Sequence, residues 1–162
     1  MWPTRAVTFL ENHDTGSTLQ HWPFPWPRVG EGYAYLLTHP GTPSVFYDHW
    51  KDPVLKGCIE DLIALRRRVG VESNAAVYIV RATEGCYAAH VGSPKDMQEV
   101  GSSSDIDLNK PSLCMKIGPD DWSPNKTKVG DAEWKCKASG DGWAVWENAK
   151  FMEPEDGAAA AS

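Results

Sequence analysis

Ala6-Val7-Thr8-Phe9-Leu10-Glu11-Asn12-His13-Asp14-Thr15-Gly16-Ser17 runs from a short apolar stretch straight into a polar triplet. A run of this length, rich in β-branched and aromatic residues, reads as a buried strand, and the abrupt change at Asn12-His13-Asp14 reads as its emergence into a loop. Taken alone the triplet is ambiguous. Asn-x-Asp-x-Gly is good turn composition, and a His-Asp pair is more often a surface pair than a chemical one. The residues that follow decide between these readings.

Thr15 to Pro27 is a loop in which Trp22-Pro23-Phe24-Pro25-Trp26-Pro27 alternates proline with aromatics. Alternate prolines forbid helix and stiffen an extended path, so Trp22, Phe24 and Trp26 form a fixed apolar wall. Val29, Tyr33, Leu36 and Leu37 recur at helical spacing, which predicts a helix over 28–38 that Pro40, Gly41 and Pro43 terminate. Ser44-Val45-Phe46-Tyr47 reads as a second buried strand carrying Asp48-His49 at its end. Strand, helix and strand make a βαβ unit, whose crossover is right-handed and whose strands are parallel. Asp48 and His49 then share a rim with His13 and Asp14. Two His and two Asp on one rim do not form the spaced set of a metal centre, so no metal site is assigned.

Asp52-Pro53 is a helix start, with Asp as cap and Pro in the first turn. Val54, Leu55, Cys58, Ile59, Leu62, Ile63, Leu65 and Val69 form one apolar stripe, and Gly70 closes the helix. Arg66-Arg67-Arg68 falls in the last turn, where the helix dipole favours cations. From Ser73 the period becomes two. Strands are predicted at 76–80, 86–91, 113–117, 134–138 and 143–147, with hairpin-like turns at Thr83-Glu84-Gly85 and Ser139-Gly140-Asp141-Gly142. Ser93 to Pro111 reads as a polar surface insertion, and 152–162, with its alanine run, as a disordered tail.

The net charge of −6 and the absence of a basic patch argue against nucleic acid or an anionic membrane as partner. No apolar run is long enough to cross a bilayer, and no charged-then-apolar leader precedes the first strand. A strand that begins at the chain start lacks its parallel neighbours, so Met1 is expected to be an internal methionine or the start of a truncated gene model. Cys58, Cys86, Cys114 and Cys136 form no C-x-x-C and are expected to be reduced and buried. Eight Trp and five Tyr exceed what a core of this size requires; aromatic faces stack on the C–H faces of sugars, although Trp more often simply fills a core.

The strings Ala6 to Thr18, Trp22-Pro23-Phe24-Pro25, Gly32 to Pro43 and Phe46-Tyr47-Asp48-His49 together closely resemble plant and algal α-amylases, strongly to about Arg68 and patchily beyond. The Ala144-Val145-Trp146-Glu147 ending is similar too. The resemblance implies a C-terminal fragment of mixed α/β plus all-β class: residues 1–71 as the last two βα units of a (β/α)8 barrel, and 72–151 as a small antiparallel β-sheet domain. Barrel enzymes keep their chemistry at the carboxyl ends of the strands. By that resemblance Asp14 is a catalytic carboxylate that stabilises the transition state, while His13, Asn12 and Trp22 bind substrate. The nucleophilic Asp and acid/base Glu belong to earlier strands that this chain lacks.

The implied activity is endo-hydrolysis of α-1,4-glucosidic bonds in starch by a retaining mechanism, with this chain inactive alone. The family's calcium is expected for the full-length protein, its ligands mostly upstream. Two departures are local. Leu19 intervenes between Thr18 and Gln20, and Asp120-Asp121-Trp122 stands where some relatives place a sugar-holding tyrosine, leaving Trp122 as a candidate surface sugar site. The rival classes are a non-catalytic carbohydrate-binding or scaffold protein, and an unrelated enzyme using His13-Asp14 as an acid–base pair.

Overall fold

A computed structural model describes residues 5–16, 21–93, 106–107, 110–128 and 132–151. Strand β1 (Val7–Phe9) pairs in parallel with β2 (Thr42–Ser44), Thr8 opposite Pro43, and helix α1 (Val29–Thr38) lies between them in sequence. The first strand is where it was expected. The second is shifted: the ladder uses Thr42–Ser44, and Tyr47 begins a short helix, α2 (Tyr47–Lys51), rather than ending a strand. The apolar run Val45-Phe46 is instead spent on packing, Val45 against the main core and Phe46 edge-on to His49. Pro43, lacking a donor, sits in a strand whose ladder partner among the described residues is β1 alone.

These strands are not buried as their composition suggested. Val7 is 65% exposed and Phe9 52%, because among the described residues the parallel sheet stops at two strands and nothing covers the outer face of β1. An open groove of about 600 Å³ beside β1 includes Val7, Phe9, Leu10, Tyr35 and Leu36.

Helix α3 (Pro53–Val69) follows the sequence rules closely. Asp52 Oδ1 accepts from Val54 N (3.0 Å) and Leu55 N (2.9 Å), and Gly70 takes φ of +71° to close the last turn. Ile59, Leu62, Leu65 and Val69 are its buried stripe, whereas Val54 at its start is exposed. The arginine run does more than answer the helix dipole. Arg66 donates to the carbonyls of Leu37, His39 and Gly41, pinning the end of α1 and the turn into β2, and Arg68 makes a forked pair with Glu147.

The second half is a five-stranded antiparallel sheet in the order β3-β4-β5-β7-β6, from β3 (Ala76–Ala82), β4 (Tyr87–Gly92), β5 (Ser112–Ile117), β6 (Trp134–Gly140) and β7 (Trp143–Asn148). All five lie within two residues of their expected bounds. Period two divides the sheet cleanly. Ala89, Val91, Leu113, Met115 and Val145 face α1 and α3 in the main core. Cys86, Ala88, Cys114, Trp134, Ala144 and Trp146 build a second cluster on the opposite face.

Burial differs from expectation at the cysteines and at Ile106. Of the four free cysteines, Cys86 and Cys114 are buried, Cys58 is half-buried and Cys136 is exposed. Within the segment expected as a surface insertion, Ile106 is buried and a Cβ at Gly92 would meet it. Apart from Ser93, Ile106, Asp107, Lys110 and Pro111, that segment lies outside the described residues, as does the 152–162 tail.

Candidate substrate-binding rim

Because β1 and β2 are parallel, their carboxyl ends open on one side of the molecule. Asn12-His13-Asp14 follows β1 there, and Asp48-His49 in α2 follows β2. Asn12 shapes its own loop: its Oδ1 accepts from the backbone N–H of Asp14 (2.9 Å) and of Thr15 (3.1 Å), and its carbonyl accepts from Gly16 N (3.0 Å). This Asx-type turn presents the next two side chains to solvent. His13 and Asp14 are 84% and 64% exposed, with His13 Nε2 3.2 Å from Asp14 Oδ1. A carboxylate held at a strand end and left open is available to a ligand and contributes little to packing.

His49 does not join that exposed pair. It is buried, its Nε2 3.0 Å from Glu11 Oε2 and its Nδ1 2.8 Å from the Tyr33 hydroxyl. Glu11 is buried as well, and its Oε1 accepts from Phe24 N. Phe46 N donates to the Tyr33 oxygen at 3.3 Å. One proton arrangement satisfies every partner: His49 donates from Nε2 to Glu11 and accepts at Nδ1 from Tyr33, whose oxygen takes the Phe46 N–H. Burial holds the His49 imidazole below its ordinary value, opposed by Glu11, and pushes the Tyr33 hydroxyl up to about 12. A neutral histidine in this tautomer follows from both.

The sequence reading passed over Glu11 and Tyr33. A glutamate at a strand's end reads as rim polarity and a tyrosine on a helix stripe as core; the spacing Glu11…Tyr33…His49 carries no motif. Of the proline-aromatic loop, residues 23–26 line a cleft. Trp22 is 83% exposed, Trp26 is exposed and edge-on to His49, and Phe24 is partly buried. Phe24 and Trp26, with Phe46, Asp48 and Lys51, bound this cleft of about 760 Å³, which Glu11 and His49 also line, whereas Trp22, His13 and Asp14 are not among its lining residues.

Trp122 is elsewhere and different from expectation. Only 5% exposed, it packs edge-on against Trp146 in the second cluster, so its ring is not offered to solvent as a stacking platform. The residues expected around Gln20 lie outside the described ones. Among the described residues no three His, Cys, Asp or Glu side chains gather as a metal centre requires. Among the same residues no helix is long and apolar enough to cross a membrane.

Residues 68–147 match the family model described as "Alpha-amylase C-terminal beta-sheet domain". That match falls on the antiparallel sheet. A probable α-amylase 2 of Arabidopsis thaliana is 44% identical over 147 residues, 90% of this chain and 30% of that one. The α-amylase type B isozyme of Hordeum vulgare is 38% identical over 149 residues, 90% of this chain and 82% of that one. The chain belongs to the α-amylase family. The solved α-amylase of Geobacillus thermoleovorans, complexed with acarbose, shares the fold with a TM-score of 0.58 at 14% identity, over 90% of this chain and 39% of that chain. An Anoxybacillus α-amylase does so at 0.56 and 17%, over 91% and 39%. This chain thus spans less than half of these solved chains and under a third of the Arabidopsis relative.

Proposed function

We propose that this chain is the C-terminal segment of an α-amylase that hydrolyses internal α-1,4-glucosidic bonds of starch-like glucans with retention. Residues 1–71 close a (β/α)8 catalytic barrel and 72–151 form the β-sheet domain packed behind it. The observation that supports this reading is the exposed His13–Asp14 pair just beyond the carboxyl end of a parallel strand, the end from which α2 also follows β2.

Retaining hydrolysis uses a nucleophile and an acid/base about 5–5.5 Å apart with an oxocarbenium-like transition state between them. Both groups come from strands outside this chain. Asp14 accepts hydrogen bonds from sugar hydroxyls that tighten as the ring flattens, and its charge favours the cationic transition state over the ground state. His13 donates to a neighbouring hydroxyl. Asn12 shapes the loop that carries both, and its amide reaches the same sugar. Trp22 offers its face to the sugar ring. Calcium, where the full-length protein holds it, is bound by the upstream segments.

The chain alone is expected to release no reducing sugar from soluble starch. A chimera carrying it in place of the matching segment of a plant relative is expected to be active. An inactive but folded chimera, or starch retained by the chain in pull-down with an inactive chimera, would replace this reading by the non-catalytic binding one. Hydrolysis by the chain alone would overturn it in favour of an unrelated enzyme.

A further inference from the structure

Glu11 sits three residues before Asp14 yet points away from it, inward. Its carboxylate is the meeting point of three segments. Phe24 N, in the proline-aromatic wall, donates to Oε1, and His49, in α2, donates to Oε2 at 3.0 Å. The third is the Asp14 loop itself. That loop leaves Glu11, turns through Asn12 to Thr15, and returns at Gly16, where a Cβ would lie 2.6 Å from Glu11 Oε2 and 3.0 Å from the Phe46 ring. Glycine is needed because the returning backbone rests on the carboxylate. Beyond His49 the bonds continue to the Tyr33 hydroxyl on α1 and the Phe46 N–H ahead of α2.

We infer that Glu11 is a positioning residue for the rim: through Phe24, His49 and the seat it gives Gly16, it fixes the loop bearing His13 and Asp14 against the aromatic wall and α2. The inference rests on the reading of that rim as the glucan site, and deepens it. A buried carboxylate whose two oxygens each accept from a different segment is held in place by both, so the segments that share it are coupled. His13 and Asp14, which are exposed and make no bond to α1 or α2 in this structure, take their placement from it.

Glu11→Gln keeps the shape and breaks the pattern. One amide oxygen can still serve Phe24, but the NH2 then faces the His49 N–H, and His49 must give up either its tautomer or its bond to Tyr33. Misplacement of a reacting or stabilising group by about 1 Å costs up to about a hundredfold in rate.

Two measurements test this. On the full chain, hydrogen–deuterium exchange resolved to single amides is expected to show Gly16, Phe24 and Phe46 losing protection together in Glu11→Gln, with β4, β5 and β7 unchanged. Loss at Phe24 alone would show a local bond and overturn the coupling. In the active chimera, Glu11→Gln is expected to lower kcat about tenfold to a hundredfold with KM within about twofold. Turnover per folded molecule equal to wild type would make Glu11 a purely structural residue and overturn the proposal. A wild-type chimera that folds but is inactive fails the underlying reading, and this proposal with it. Should Glu11→Gln not fold, Tyr33→Phe removes only the hydroxyl at the far end of the same chain of bonds. It must then show the same signs at Phe46 and in kcat, or the proposal falls.

Discussion

His90→Leu should flatten the pH dependence of stability. His90 lies on β4, buried on the face of the second cluster and edge-on to Trp134 at 5.1 Å, and its Nε2 has no hydrogen-bond partner. Burial pushes the imidazole down to about 4 from its ordinary 6.5. Above pH 6.5 it is neutral in both folded and unfolded chains; between 6.5 and 4 only the unfolded chain binds the proton. Stability is therefore fully present above pH 6.5 and is lost as pH falls to about 4. At about 1.36 kcal/mol per pH unit, that window corresponds to about 3 kcal/mol from this side chain. His39, buried and also held down to about 4, adds a loss of the same sign.

Urea unfolding of wild type and variant at pH 7 and pH 4 isolates the His90 share, since other titrating groups are common to both proteins. The stability difference between the two pH values should be smaller in the variant by about 3 kcal/mol. At pH 7 the variant should be at least as stable as wild type, because leucine removes an orphaned polar atom. Equal pH dependence in the two proteins would refute the argument, showing that native His90 gains its proton as readily as in the unfolded chain.

Arg68→Met leaves the buried Glu147 carboxylate without its forked partner. It should cost about 2–3 kcal/mol in urea unfolding, less than the about 3–5 kcal/mol of a fully buried pair because the Arg68 head is nearly half exposed. Replacing Glu147 by leucine in the same chain should recover most of the loss. Asp52→Ala removes the acceptor of the Val54 and Leu55 N–H groups and should cost about 1 kcal/mol by the same assay. The uncovered side of β1 should make the isolated chain associate, and Val7→Lys with Phe9→Lys should shift sedimentation towards monomer. Unchanged association would place the contact elsewhere.

Local chemistry made much of this fold legible. Asp52, Pro53 and Gly70 marked both ends of α3, and period-two alternation located all five strands of the antiparallel sheet, because caps and pleats are set by neighbours in sequence. What escaped depended on contacts distant along the chain. Val45-Phe46 looks like a strand from its side chains, but the backbone pairing with β1 was taken by Thr42–Ser44. Glu11, Tyr33 and His49 carry no spacing signature, and their union needs the strand end, α1 and α2 folded together. Trp122 was misjudged for the same reason. Nothing beside it in sequence tells that Trp146 closes over its ring.

Turnover of Asp14→Asn in the chimera, normalised to folded protein, tests the central claim most directly. The amide keeps the shape of an exposed side chain that supports little packing, so the melting temperature should not move. Removing one charge aimed at the transition state should cost about 2.7–4 kcal/mol, which is about a hundredfold to a thousandfold in kcat, with starch affinity largely retained. Near-wild-type turnover per folded molecule would contradict the account and leave Asp14 a surface residue of its turn.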